Sequence, residues 1–236
     1  MLFLLPPSET KRSGGGSLTI EQVALTFGGL NQAREEVLAA SGNQELLHAA
    51  TMRAIDRYTG TLFGAIHGRG LKGTPTEHNN LTAAEVSRAK STVLIQSAMF
   101  GLIPATDLIP EYKLSPSKSI NGLNLKKHWA QAHLTIWPRL TGGVIVDLRS
   151  KAYAELAPIP EDVEHFVVTV EVEYPDGARR TLNHFNKKAK GQLVRAALTA
   201  KKTPETIVEL KACARRAGLA IEVSGRNLTL VTREAT

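Results

Sequence analysis

Three short apolar runs, far apart in the chain, limit its fold more than any other feature. Leu2–Leu5 is closed at once by Pro6-Pro7, Thr92 to Phe100 forms a longer run, and Gly143 to Ser150 is β-branched and ends in polar residues. Runs of this length read as buried strands. Helix-start signals lie between them. Thr19-Ile-Glu-Gln22 and Thr82-Ala-Ala-Glu85 have the spacing at which cap and third residue satisfy each other's backbone N–H groups. Thr203-Pro-Glu205 places a cap before proline, predicting a helix that stops at Gly218. Further helices are expected from Gln32 to Met52, continuing to Tyr58, and from Lys187 to Ala200. Leu123 to Leu140 is amphipathic, with Trp129 and Trp137 assigned to the core, and Ser150 is placed to cap a helix through Leu156. Val163 to Tyr174 alternates as a strand, and Pro175-Asp-Gly177 turns it into a second strand, Arg179 to Phe185. Two short strands flank Ser224 to Asn227. Glycines 60, 64, 68, 70 and 73 predict loop and tight turns as far as Pro75. With no internal repeat or linker, residues 1–236 read as a single compact domain of mixed α/β class.

Charge is distributed unevenly. The net charge is +7, yet residues 175–236 hold 13 Lys or Arg against 5 Asp or Glu, and no acidic residue occurs from Gly177 through Pro204. The rest of the chain is close to neutral. A basic segment of this kind predicts a polyanionic partner, most simply DNA. Cys213 is the one cysteine, which excludes an internal disulfide framework and predicts a reducing compartment. The short apolar start lacks the basic region and length of a signal, and nothing approaches a membrane span, so a cytoplasmic protein is expected.

Three constellations could carry chemistry. The first is Lys187, Lys188, Lys190 and Arg195 on a predicted helix, with Lys201 and Lys202 in the turn before the next one. Two helices joined by a basic turn, of the helix–hairpin–helix kind, can clamp phosphates without reading sequence. Alone, such a lysine-rich helix is more often a solvated face. Gly191 costs this helix roughly 1 kcal/mol, which close approach of a neighbouring element or a phosphate would offset. The second is Asp147-Leu-Arg149-Ser150 with Tyr153, at the end of a strand, where α/β sheets place ligands. Arg149 could fork onto a phosphate and Asp147 orient it or act as base, or the two could simply pair with each other. The third is Ser8, Glu9 and Lys11 in the first glycine-rich loop, which matches neither the P-loop nor the dinucleotide fingerprint. No metal site or cofactor is expected, because the histidines are scattered and His128 and His133 are five apart. Cys213 falls on an apolar helical stripe with Ile207, Leu210 and Ala217 and reads as packing.

At these same stretches the chain resembles the YaaA family of peroxide-stress proteins. The resemblance is carried by Leu4-Leu-Pro-Pro-Ser-Glu with Lys11, Tyr58-Thr-Gly60, Ser97-Ala-Met-Phe-Gly-Leu102 and Asp107-Leu-Ile-Pro-Glu-Tyr-Lys-Leu114. It continues in Trp129, Val146-Asp-Leu-Arg-Ser150 with Tyr153, and Lys187-Lys-Ala-Lys-Gly191 with Arg195. It implies a single mixed α/β domain with a basic cleft and a helix–hairpin–helix element, binding duplex or branched DNA in peroxide resistance. It also brings Tyr58 and Lys113 into the cleft beside Ser8, Glu9, Lys11, Asp147, Arg149 and Ser150. There are departures: Lys113 stands where the family often has Arg, Phe63 where Tyr is common, and the loop Ser115-Pro-Ser-Lys118 is altered.

The leading expectation is therefore a non-enzymatic DNA binder. The alternative is an enzyme acting on a nucleotide, a nucleobase or damaged DNA, which requires Lys11, Asp147, Arg149 and Lys190 to meet in one cleft. An iron-binding role is disfavoured by the lack of a ligand cluster.

Overall fold

A computed structural model describes residues 1–69, 81–116, 119–140, 142–181 and 183–233. Residues 70–75 of the glycine-rich stretch and 117–118 of the altered loop lie outside the described residues. The first half of the chain runs β1 (Leu2–Leu5), α1 (Asn31–Ser41), β2 (Met52–Arg53), α2 (Ala54–Arg57), α3 (Thr61–Ile66), α4 (Ala83–Thr92), β3 (Val93–Ser97) and β4 (Gly101–Pro104). It continues through β5 (Leu108–Ile109), β6 (Ser119–Ile120), β7 (Leu123–Asn124), α5 (Leu125–His133), β8 (Ile145–Asp147) and α6 (Lys151–Ala154). The remaining elements are β9 (His165–Glu173), β10 (Arg179–Arg180), α7 (Asn183–Leu198), α8 (Ile207–Arg216), β11 (Ala220–Ser224) and β12 (Asn227–Arg233).

The three apolar runs become the middle of one mixed sheet, ordered β11-β12-β9-β8-β1-β3-β4, with β10 on β9. β1 lies parallel to both β3 and β8, β9 is parallel to β8 and β12, and antiparallel β4 and β11 lie at the two ends. Phe3, Leu4 and Leu5 have no exposed surface, as expected of a strand covered on both faces. The helix α7 packs on α3, α4 and β9, α4 packs on β1, β3 and β4, and α8 covers β11, while α5 packs on α1 and β4. Trp129 and Trp137 are both buried, as the amphipathic pattern predicts. No helix among the described residues is long and apolar enough to cross a membrane.

Several element boundaries differ from expectation for identifiable reasons. The box at Thr19 opens only a 3-10 turn, because Val23 is extended and Thr19 bridges to Ala50. The long helix expected from Gln32 stops at Ser41, where Gly42 takes a left-handed φ of 67°. The Thr92 to Phe100 run is a strand only to Ser97, whose hydroxyl accepts the N–H groups of Met99 and Phe100 and turns the chain into β4. Of the strand expected over 179–185, only Arg179 and Arg180 pair, and α7 begins at Asn183. The helix expected at Thr203 starts at Ile207 instead. Thr206 caps it by accepting from Glu209 N, and Glu209 accepts from Thr206 N, so the reciprocal box prevails over the proline.

Candidate functional site

The strand order decides where a ligand can sit. From β1 the chain proceeds to β3 on one side, whereas from neighbouring β8 it proceeds to β9 on the other. Parallel strands whose connections diverge in this way leave a crevice at their carboxyl ends, the general ligand position of open α/β sheets. The segments leaving those ends are the loop after Leu5, the turn after Ser97 and the segment from Asp147 into α6. Two constellations that looked separate in sequence thus share one edge, since Leu148 N donates to Leu4 O at 2.8 Å.

A cavity of about 410 Å³ opens there, lined by Ser8, Glu9, Lys11, Ser41, Asn43, Met99, Tyr112, Lys113, Leu114, Ser115, Ile120 and Tyr153. Lys11 is one of its charged side chains. Its backbone bridges to Tyr58, and its Nζ donates to the carbonyls of Ser8 at 3.1 Å and Glu9 at 3.4 Å. The ammonium lies 4.2 Å from the centre of the Tyr112 ring, close enough for cation–π attraction. Burial pushes its pKa down to about 8, against the opposing pull of Glu9 and Glu111.

Behind Lys11 runs a chain of hydroxyls. Ser97 Oγ spends both lone pairs on Met99 and Phe100, so its own O–H donates to Tyr112 Oη at 2.7 Å. Tyr112 Oη lies 2.7 Å from Tyr58 Oη. Burial raises the pKa values of Tyr58, Tyr112 and Tyr153, so all three stay neutral at physiological pH. This arrangement fixes Tyr112 as a rigid platform under the lysine. Ser41 and Asn43 carry no local signal that could have marked them; Ser97 belongs to a motif named above, and the register of β1 and β3 brings it to this edge.

Asp147 and Arg149 are tied to each other. Arg149 Nε and Nη2 fork onto the Asp147 carboxylate at 2.9 and 2.8 Å, and Nη1 donates to Ala157 O at 2.9 Å. The Arg149 side chain is fully buried and holds the chain entering α6. Ser150 is exposed and precedes α6, with its carbonyl accepting from Tyr153 and Ala154. Lys190 is buried too, donating to Leu148 O at 3.0 Å. Asp147, Arg149, Ser150 and Lys190 are thus neighbours along the strand ends, but none of them lines the Lys11 cavity.

The basic segment folds into α7 and α8 with loop 199–206 between them. Lys187, Lys188, Lys201 and Lys202 are exposed, while Arg195 is half-buried and donates to Ile66 O. Lys202 lies 3.4 Å from Glu205 and 3.8 Å from Glu209. Two adjoining hollows of about 470 and 440 Å³ lie along the helix pair, one beside Arg195 and the other beside Lys201 and Lys202. They share Ala200, Cys213 and Arg216. Cys213 is buried, and burial pushes its thiol up, in keeping with packing rather than nucleophilic chemistry. Gly191 meets protein, not a ligand: a Cβ there would lie 2.3 Å from Leu62 O. Among the described residues no three His, Cys, Asp or Glu side chains gather as a metal site.

Fold and cavity define a single-domain α/β protein with a ligand-sized hollow at the carboxyl ends of its parallel strands. The chain belongs to the family whose model is described as peroxide stress protein YaaA, which matches residues 17–223. It is 33% identical to the UPF0246 protein CE1889 of Corynebacterium efficiens over 98% of both chains. Similarity to the UPF0246 protein SCO2297 of Streptomyces coelicolor is 32% identity, covering 94% of this chain and 92% of the relative. The UPF0246 protein Cgl1995/cg2186 of Corynebacterium glutamicum is 31% identical over 98% of this chain and its own full length.

Proposed function

We propose that this protein serves peroxide resistance by binding duplex or branched DNA, gripping the phosphate backbone largely without reading sequence. The observation that supports this most is the fate of the acid-poor basic segment. It folds into one helix pair, with the exposed ammonium groups Lys187, Lys188 and Lys201 on α7 and its following loop. Lys202 and Arg195 add charge there, although each already has a protein partner. Lys190 and Arg149 are excluded from the phosphate-binding set, because both are buried and hydrogen-bonded inside the protein. The site proposed for DNA is therefore narrower than the cleft implied by the sequence.

Binding of this kind depends on counterion release, so log K should fall linearly with log salt, by about 0.9 for each phosphate contacted. Replacing Lys187, Lys188 and Lys201 together by Gln should reduce the slope by about 2–3. Fluorescence anisotropy on a labelled duplex across a salt series measures it. No binding at moderate salt, or an unchanged slope in the triple variant, refutes the reading.

A further inference from the structure

We infer that the Lys11 cavity binds a single nucleoside monophosphate unit, with its phosphate between Lys11 and Lys113 and its base against the apolar wall formed by Met99 and Leu114. This inference is independent of the helix pair proposed for DNA. At about 410 Å³ the cavity falls in the range of small-molecule sites, roughly 300–1,000 Å³, and cannot admit a duplex. Its two ammonium groups face one carboxylate, Glu9, so the ligand it favours is anionic.

Lys11 is prepared for such a ligand. Two of its three N–H donors are spent on backbone carbonyls rather than a carboxylate, which leaves one for an incoming oxygen. The Tyr112 ring beneath it, itself anchored through Ser97, keeps the ammonium from swinging away. A lysine acts on phosphate as a point charge, and two of them suit its spread negative oxygens. The same lining also has an apolar part. Met99 and Leu114 offer a surface for a flat ring, and Asn43 offers both a donor and an acceptor to the ring's polar edge. A bare phosphate would leave that wall unused. The same unit can come from free mononucleotide or from a nucleotide turned out of a DNA strand.

Isothermal titration of the full chain with deoxyadenosine 5′-monophosphate should show saturable one-to-one binding. Lys11→Gln should weaken it about tenfold or more, as should omission of the phosphate by titrating deoxyadenosine. Lys113→Gln, at an exposed position, supplies a second variant if Lys11→Gln does not fold. The triple Gln variant of the helix pair should bind the mononucleotide as the parent does, so failure of the DNA reading leaves this result standing. The source is separated with a duplex carrying 2-aminopurine opposite a mismatch. A fluorescence rise that requires Lys11 identifies a strand nucleotide, and mononucleotide binding without that rise identifies the free ligand. The inference is overturned by absence of saturable binding at millimolar mononucleotide, by equal affinity for nucleoside and nucleotide, or by lysine variants that bind unchanged.

Discussion

Lys190 shows what one residue can do against the pattern around it. On a helical wheel it shares a face with Lys187, and the sequence assigned both to a phosphate-binding surface. In the fold Lys187 is exposed, whereas Lys190 turns inward between Ala189 and Gly191 and reaches Leu148 O. Nothing in a local pattern separates them, because the boundary of the buried arc is set by where β8 ends. Burial lowers the pKa of Lys190 to about 8, with Asp147 pulling the other way. The unfolded chain therefore holds more protons between pH 8 and 10.5, and this residue's contribution to stability rises with pH across that window. From pH 8 to 9.5, below the titration of unfolded tyrosines, the gain is on the order of 2 kcal/mol. Urea unfolding at both pH values should show it, and Lys190→Met should remove most of it. An equal rise in the variant would mean that the lysine is not the source. Lys11 shifts in the same direction and to a similar value, so the rise in the parent holds both contributions and the variant loses only the part due to Lys190.

At the scale of elements, the contact between α3 and α7 holds the basic helix against the sheet. Its closest point is Gly191, where an added Cβ would lie 2.3 Å from Leu62 O and 2.7 Å from Ala65 Cβ. The sequence shows a costly glycine inside a helix and leaves two causes open, a neighbouring element or a phosphate; only the placement of α3, distant in sequence, decides between them. Gly191→Ala sets a propensity gain of about 1 kcal/mol against helices forced apart, which costs about 1–3 kcal/mol or more at so short a distance. A net loss of about 1–2 kcal/mol is expected, read as a fall in Tm of several degrees. A variant as stable as the parent would show that the helices separate freely. The reciprocal signal at Thr82 with Glu85 marked a helix start, the one at Thr19 with Gln22 opened only a 3-10 turn, and the single-residue signal at Pro204 misplaced a start.

For the whole molecule, strand identity was largely readable and strand neighbours were not. Apolar runs and alternation locate β1, β3, β8 and β9, but nothing in them says that β1 lies between β3 and β8, and that placement creates the crevice. The cavity was legible only in part for the same reason. Lys11 and Lys113 were named from motifs, while Ser41 and Asn43 reach it through tertiary placement alone. The sheet also makes a non-local demand on stability. β12 pairs with β9 in parallel from Asn227↔Val167 to Arg233↔Glu173, and Leu228 and Leu230 are fully buried. Each such leucine contributes about 1.5–3 kcal/mol, against a total stability of about 5–15 kcal/mol for a domain. A chain truncated after Gly218 should show no cooperative thermal transition by circular dichroism. A transition within a few degrees of the full chain would contradict this.

That pairing has a consequence during synthesis. Residues 174–226 must be made after β9 and before the strand that covers its edge. At ordinary translation rates of about 5–20 residues per second, β9 waits about 3–10 s on the ribosome with one row of backbone groups unpaired. An open strand edge is a template for other chains. The hazardous interval for this protein therefore comes when most of the sheet already exists, and it closes only when β12 is free to cover that edge.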